Sequence, residues 1–160
     1  MIRTRRRTER RIRKTRTKKN LCDNFQIRLT DCALAKEEFF PEDYENLNSE
    51  ESHLGSCVSP TEDVFVPLRW MAIETLTEYT QTSTSSDVWS LGIFLWEISS
   101  QGEHPYSCIS PSHLLSFLRE EHRLRQPPTC PDELFRLMNA CWSAKPQQRP
   151  SALEVNEFLQ

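Results

Sequence analysis

One segment constrains this sequence more than any other: "SSDVWSLGIFLWEISS", residues 85–100. Wound as a helix, its apolar residues Val88, Trp89, Leu91, Ile93, Phe94, Leu95, Trp96 and Ile98 cover nearly every side. A helix that is apolar all round needs neighbours on all sides. Residues 1–20 offer only Met1, Ile2 and Ile12, which form no stripe to cover it, so one side of this helix is expected to be left exposed. Ser85 and Ser86 are the expected caps, and Asp87 falls in the first turn, where a negative charge meets the helix dipole favourably. Gly102 and Pro105 then break the chain.

Three further helices are expected, each opened by a proline near its first position. "SPSHLLSFLREE" presents Leu114, Leu115, Phe117 and Leu118, and "CPDELFRLMNACW" presents Leu134, Phe135, Leu137, Met138, Cys141 and Trp142. "RPSALEVNEFL" presents Leu153, Val155, Phe158 and Leu159. Stripes at helical spacing are core-packing faces. Upstream, "FQIRLT" alternates Phe25, Ile27 and Leu29 with polar residues, the period-two pattern of a half-buried strand. A short hairpin-like β element is expected near residues 25–36. The fold class is mainly α.

Charge divides the chain. Residues 1–20 hold eleven Lys/Arg and one acid, a net of +10, so with −3 overall residues 21–160 carry −13. The basic stretch has no apolar period and is expected to be disordered by itself. Such a run can bind nucleic acid or acidic lipid through phosphate contacts, although it lacks aromatics for base stacking. A misplaced coding start explains it equally well. Nucleic acid is not the expected partner. Residues 37–65 form a polar, acidic segment with Pro41, Gly55 and Pro60 and no steady period. That length marks a functional or disordered loop.

Other chemistries find little support. Cys22, Cys32, Cys57, Cys108, Cys130 and Cys141 form no C-x-x-C pair and have no histidine at ligand spacing, so no metal site is expected. They fit packed thiols in a reducing compartment. "VWSLGIFLWEI" is too short to span a bilayer and contains Glu97, and no apolar signal core follows the basic start. As written, the chain is expected in the cytoplasm.

Several motifs, in order, resemble the C-terminal lobe of protein kinases. "VPLRWMAIE" at residues 66–74 resembles the substrate-platform loop and Ala-Pro-Glu motif of tyrosine kinases. "SDVWSLGIFLWEISSQGEHPY" is similar to the central buried helix and its following turn, and "CWSAKPQQRP" to the lead into the last helix. "TDCALAKEEFFPEDYENL" is similar to the RYK/Derailed family of atypical receptor tyrosine kinases, which act in Wnt signalling. That family also replaces the Phe and Gly of Asp-Phe-Gly. The resemblance spans about residues 21–160, a partial kinase domain following the 1–20 tail, with 37–65 as its activation-loop equivalent.

The resemblance implies roles. Pro67, Arg69 and Trp70 would belong to the substrate platform, and Glu74 and Arg149 would form a buried ion pair. Asp87 would accept hydrogen bonds from the catalytic-loop backbone, and would bear a desolvation cost if buried without them. Asp31 and Asn20 stand where the family holds Mg-ATP, both as weak matches. Tyr44, among Glu42, Asp43 and Glu45, is a candidate phosphosite for another kinase.

Phosphoryl transfer also needs a glycine-rich loop, a strand lysine and a His-Arg-Asp loop. The chain has three glycines, Gly55, Gly92 and Gly102, none at that spacing, and neither of the other motifs. At the remaining motif, Cys32 and Ala33 follow Asp31 in place of Phe and Gly. The ATP-binding lobe is therefore expected to be missing, the chain inactive, and its catalytic residues and bound cofactors none, although the family uses ATP and Mg. The expected function is a partial pseudokinase domain that contacts signalling proteins. The parent family is single-pass in the plasma membrane with this domain on the cytoplasmic side, so membrane contact would come only through a transmembrane segment of the parent. The alternatives are a truncated gene model of an active tyrosine kinase, and nucleic-acid or acidic-lipid binding through the tail.

Overall fold

In the computed structural model, residues 44–46 and 65–160 are described, all within one compact unit spanning Ala35–Gln160. The expected β element at 25–36, the basic stretch 1–20, Asn20 and Asp31 lie outside the described residues. Two short strands, β1 (Tyr44–Asn46) and β2 (Phe65–Pro67), pair antiparallel with Tyr44 opposite Pro67. β1 lies inside, and β2 begins at the end of, the acidic segment 37–65 that the sequence suggested was a loop throughout. Five helices follow: α1 (Ile73–Thr77), α2 (Thr84–Ser99), α3 (Pro111–Arg119), α4 (Asp132–Cys141) and α5 (Ala152–Phe158). Among the described residues no helix is long and apolar enough to cross a membrane.

The cap of α2 differs from the expected Ser85 or Ser86. Ser83 is the N-cap: its hydroxyl accepts from Ser86 N at 3.3 Å while Ser86 Oγ accepts from Ser83 N at 2.8 Å. This reciprocal pair satisfies two N–H groups that a helix start leaves orphaned. At the other end Gly102 N donates to Glu97 O at 2.8 Å and Gln101 N to Ile98 O at 3.1 Å. Gln101 takes the left-handed conformation (φ 63°) that this closing turn requires. α3 starts with Pro111 at its first positions, as expected. α5 does not start on its proline; Ser151 caps it, bonded reciprocally to Glu154.

α2 is the axis of the core. Its Val88, Trp89, Ile93 and Trp96 are buried with Leu114 and Leu118 of α3 and with Met138, Cys141 and Trp142 at the end of α4. Each such large apolar side chain contributes about 1.5–3 kcal/mol of transfer free energy. Gly92 lets α4 approach. A Cβ there would lie 2.6 Å from Trp142 Nε1 and 2.9 Å from Cys141 Cβ. Burial pushes the Cys141 thiol up to about 11, so it stays protonated and inert at neutral pH.

α2 keeps an open apolar face, as expected: Phe94 and Ile98 are 43% and 58% exposed, with Leu91 and Leu95 half-buried beside them. The expectation for α5 needs correction. In α5 only Val155 is buried, while Leu153 is 65%, Phe158 49% and Leu159 50% exposed. Its seven residues make barely two turns, too few for a stripe to be told from scattered leucines. α3 and α4 keep their expected faces.

Gly92→Ala is expected to lower stability by about 1–3 kcal/mol through overpacking, measured by urea unfolding. An unchanged midpoint would show that Trp142 moves aside freely. The open α2 face is expected to make the protein bind a hydrophobic dye and self-associate. Phe94→Lys with Ile98→Lys should reduce both. A concentration-independent monomer with a cooperative melt and no dye binding would contradict this.

Candidate functional site

The loop between β2 and α1 forms a 3-10 turn at Leu68–Trp70, pinned from below by apolar contacts and from the sides by hydrogen bonds. Val66, Leu68, Met71 and Ala72 are buried. Pro67, which has no N–H for a ladder, and the short run into α1 favour a turn here over a longer strand. Of the residues the resemblance assigned to a substrate platform, Pro67 and Trp70 are half-buried and Arg69 is buried. Arg69 faces inward. Its Nη1 donates to Tyr106 O at 2.5 Å and to Ile109 O at 2.9 Å, tying the turn to the loop before α3. Trp70 Nε1 donates to Glu97 Oε2 at 2.8 Å, and Ser90 Oγ donates to Trp70 O at 2.8 Å, so both ends of this residue are fastened to α2.

The predicted ion pair is present. Arg149 Nη1 and Nη2 meet Glu74 Oε1 and Oε2 at 2.6 and 2.7 Å, a bidentate contact between chain positions 75 apart. The arginine side chain is fully buried and the glutamate 13% exposed. A planar guanidinium suits this fork-to-fork match and a lysine would not. Arg149 also donates to Ser85 O and Ser143 O, both at 2.9 Å. Its guanidinium lies 5.1 Å from the Trp89 ring centroid, and that of Arg123 lies 5.0 Å from it. Two cations thus sit on one buried indole, each gaining from the ring's negative face.

Asp87 is exposed, not buried. The desolvation cost considered for it therefore does not arise. Tyr44 is half-buried on β1, opposite Pro67. Among the described residues no three His, Cys, Asp or Glu side chains cluster as a metal site. Sequence reasoning missed Glu97, His104, Tyr106 and Ile109. Two of these act through backbone carbonyls, which no residue type announces. Glu97 was visible only as a flaw in an apolar run.

Glu74→Ala is expected to destabilise the protein by about 3–5 kcal/mol, because it strands a buried arginine. Arg149→Lys should recover little of that, since an ammonium cannot span both oxygens and two carbonyls. A urea midpoint for Glu74→Ala within error of the parent would show that the pair contributes nothing.

Comparison with known proteins adds to this geometry. The family model described as protein tyrosine and serine/threonine kinase matches residues 17–159. The chain is 38% identical over 137 residues to the mouse tyrosine-protein kinase RYK, covering 86% of this chain and 20% of that protein. It is 36% identical over the same length to the Drosophila melanogaster tyrosine-protein kinase Drl, covering 86% of this chain and 20% of that protein. Over a shorter 86 residues it is 48% identical to the Drosophila melanogaster tyrosine-protein kinase receptor torso, covering 54% of this chain and 9% of that receptor. The chain thus spans about a fifth of the length of the first two relatives. A mainly helical lobe, a turn at Leu68–Trp70 clamped to its central helix and a bidentate Glu74–Arg149 pair accompany these matches, and the chain belongs to the protein tyrosine and serine/threonine kinase family.

Proposed function

We propose that this chain is part of a pseudokinase domain of RYK type, acting through protein contacts in a Wnt-type pathway rather than by phosphoryl transfer. The observation that carries the reading is "TDCALA": Asp31 is followed by Cys32 and Ala33 where a kinase has Phe and Gly. Cys32 lacks the aromatic wedge that seats this motif on the core. Ala33 lacks the freedom of glycine at positive φ. Both changes fit a site released from positioning Mg²⁺. Asp31 and Asn20 would still supply oxygen ligands, but Mg²⁺ is held chiefly through phosphates that other parts of a kinase must grip.

The surface on offer in this reading is the loop around Pro67 and Trp70. Its anchors (Arg69, the half-buried Glu97 and the Glu74–Arg149 pair) hold it in one shape without help from substrate. A rigid loop loses little entropy on docking a partner. Its partners would be signalling proteins on the cytoplasmic side of a single-pass receptor. Tyr44, on the strand paired with Pro67, is the proposed target of another kinase.

A second reading has an observation in its favour. The higher identity to a tyrosine-protein kinase receptor over 86 residues fits the same lobe within a longer, active, ATP-dependent enzyme. A transcript that continues upstream into Gly-x-Gly-x-x-Gly and His-Arg-Asp would support it.

The purified chain is expected to transfer no phosphate to a tyrosine peptide in the presence of ATP and Mg²⁺. Transfer above the level of Asp31→Asn would overturn the pseudokinase reading.

A further inference from the structure

The run "TEYTQTSTSSD", residues 77–87, joins α1 to α2 and is dense in hydroxyl side chains. Most of them are committed to the fold. Thr77 Oγ1 donates to Ile73 O at 2.7 Å, Thr80 Oγ1 to Glu78 Oε1 at 2.8 Å and Thr82 Oγ1 to Tyr79 O at 3.1 Å. Ser83 and Ser86 form the cap of α2, and Ser86 is buried. Thr84 is different. It is exposed, and among the described residues its hydroxyl has no hydrogen bond. Asp87, also exposed, follows three residues later. A carboxylate at that spacing is a feature that a kinase with a basic peptide groove reads by charge. Among the described residues Thr75, Ser100, Thr129 and Ser151 also have an acid three residues on. Each of these is withdrawn. Thr75 is buried, Ser100 Oγ donates to Glu97 O at 3.1 Å, Thr129 Oγ1 donates to Ser99 O at 2.8 Å, and Ser151 Oγ donates to Glu154 Oε2 at 2.8 Å. Among the described residues only Thr84 combines the acid, the exposure and an uncommitted hydroxyl.

We propose that Thr84 is a phosphorylation site for an acidophilic serine/threonine kinase, separate from Tyr44 and of a different acceptor chemistry. The co-substrate is a nucleoside triphosphate. Thr84 Oγ1 bonds to the γ-phosphorus, and the bond from that phosphorus to the β,γ-bridging oxygen breaks. The nucleoside diphosphate leaves with the electron pair, and the hydroxyl proton passes to the carboxylate base of the modifying kinase. Access requires the first turn of α2 to open, and helix ends open at much lower cost than the core.

The fold gives the product a place. Thr84 and Ser85 line an open cavity of about 250 Å³ together with Ser151 and Glu154 at the start of α5. A phosphothreonine carries about −1.5 to −2 charge. Ser83 already satisfies Ser86 N and Asp87 N, its carbonyl accepting from both at 3.0 and 3.1 Å. Helix geometry leaves the N–H groups of Thr84 and Ser85 without an intrahelical partner, and these belong to the modified residue and its neighbour. Glu154 in the same cavity repels the phosphate, but it is exposed, so water and salt screen that repulsion. The net effect is a tighter first turn of α2 and a surface dianion that a partner's arginine cluster can read. The site stands whether or not the chain itself transfers phosphate.

In the test, the full chain is incubated with casein kinase II, ATP and Mg²⁺, and phosphate is located by fragmentation mass spectrometry. Phosphate is expected on Thr84, lost in Thr84→Val and incorporated more slowly in Asp87→Asn. Both variants are expected to fold, because both side chains are exposed and make no hydrogen bond among the described residues. Amide exchange of residues 85–87 should slow on phosphorylation of the parent and stay unchanged in Thr84→Val treated in the same way. Phosphate found elsewhere with Thr84 unmodified overturns the proposal. Incorporation at Thr84 that is indifferent to Asp87→Asn, or amide exchange in this turn that does not slow, overturns it too.

Discussion

The rest of the described structure depends on one buried guanidinium. Arg149 joins α1 through Glu74, the start of α2 through Ser85 O, the turn after α4 through Ser143 O, and the core through the face of Trp89. No apolar residue could occupy this position without orphaning the two carbonyls and the carboxylate that it satisfies. A buried ion pair adds little net stability over a well-packed apolar substitute. Its effect is on geometry: only one arrangement of α1, α2 and the α4–α5 turn satisfies all the donors at once. Since α1 follows closely on the turn at Leu68–Trp70, the same constraint places Trp70.

Two other arginines repeat the device. Arg69 holds the carbonyls of Tyr106 and Ile109, and Arg123 holds those of Trp142, Leu118 and His122. The helices here are short, and much of the chain between them is irregular. Irregular backbone carries carbonyls that no ladder satisfies, and leaving them buried and unpaired is costly. Burial lowers the pKa of Arg123, while Tyr106 and Glu121 push it the other way. Arginine forks do for this lobe what sheet hydrogen bonds do for a β protein.

That division explains what the sequence allowed one to see. The existence and type of α2, α3 and α4 followed from apolar spacing, and Gly102 marked the end of α2. The N-cap was misplaced because "TQTSTSSD" offers a hydroxyl at almost every position, and only the reciprocal Ser83–Ser86 bonding selects one. The open face of α2 follows from an apolar surface that residues 1–20 cannot cover, whereas the open face of α5 was not legible, since an apolar residue announces a preference for burial and not the neighbour that provides it. The Glu74–Arg149 pair came from recognising motifs; nothing in local periodicity links residues so far apart. The contacts of Arg69 and the grip on Trp70 were invisible for a simpler reason. Their acceptors are backbone carbonyls and one glutamate within an apolar helix.

The loop at residues 66–74 can be rigid without catalysis, because its anchors, Arg69, Glu97, Ser90, Glu74 and Arg149, tie the lobe to itself. A kinase needs such a loop to present a hydroxyl, and a binding module needs it to present a surface. The anchoring physics is the same for both. Loss of the Phe and Gly after Asp31 would therefore remove a reason for transferring phosphate while leaving the platform standing. On the pseudokinase reading, selection could relax at Cys32 and Ala33 without touching the interactions that shape residues 66–74. The anchors belong to the fold, and they hold the loop whatever chemistry the rest of the sequence retains.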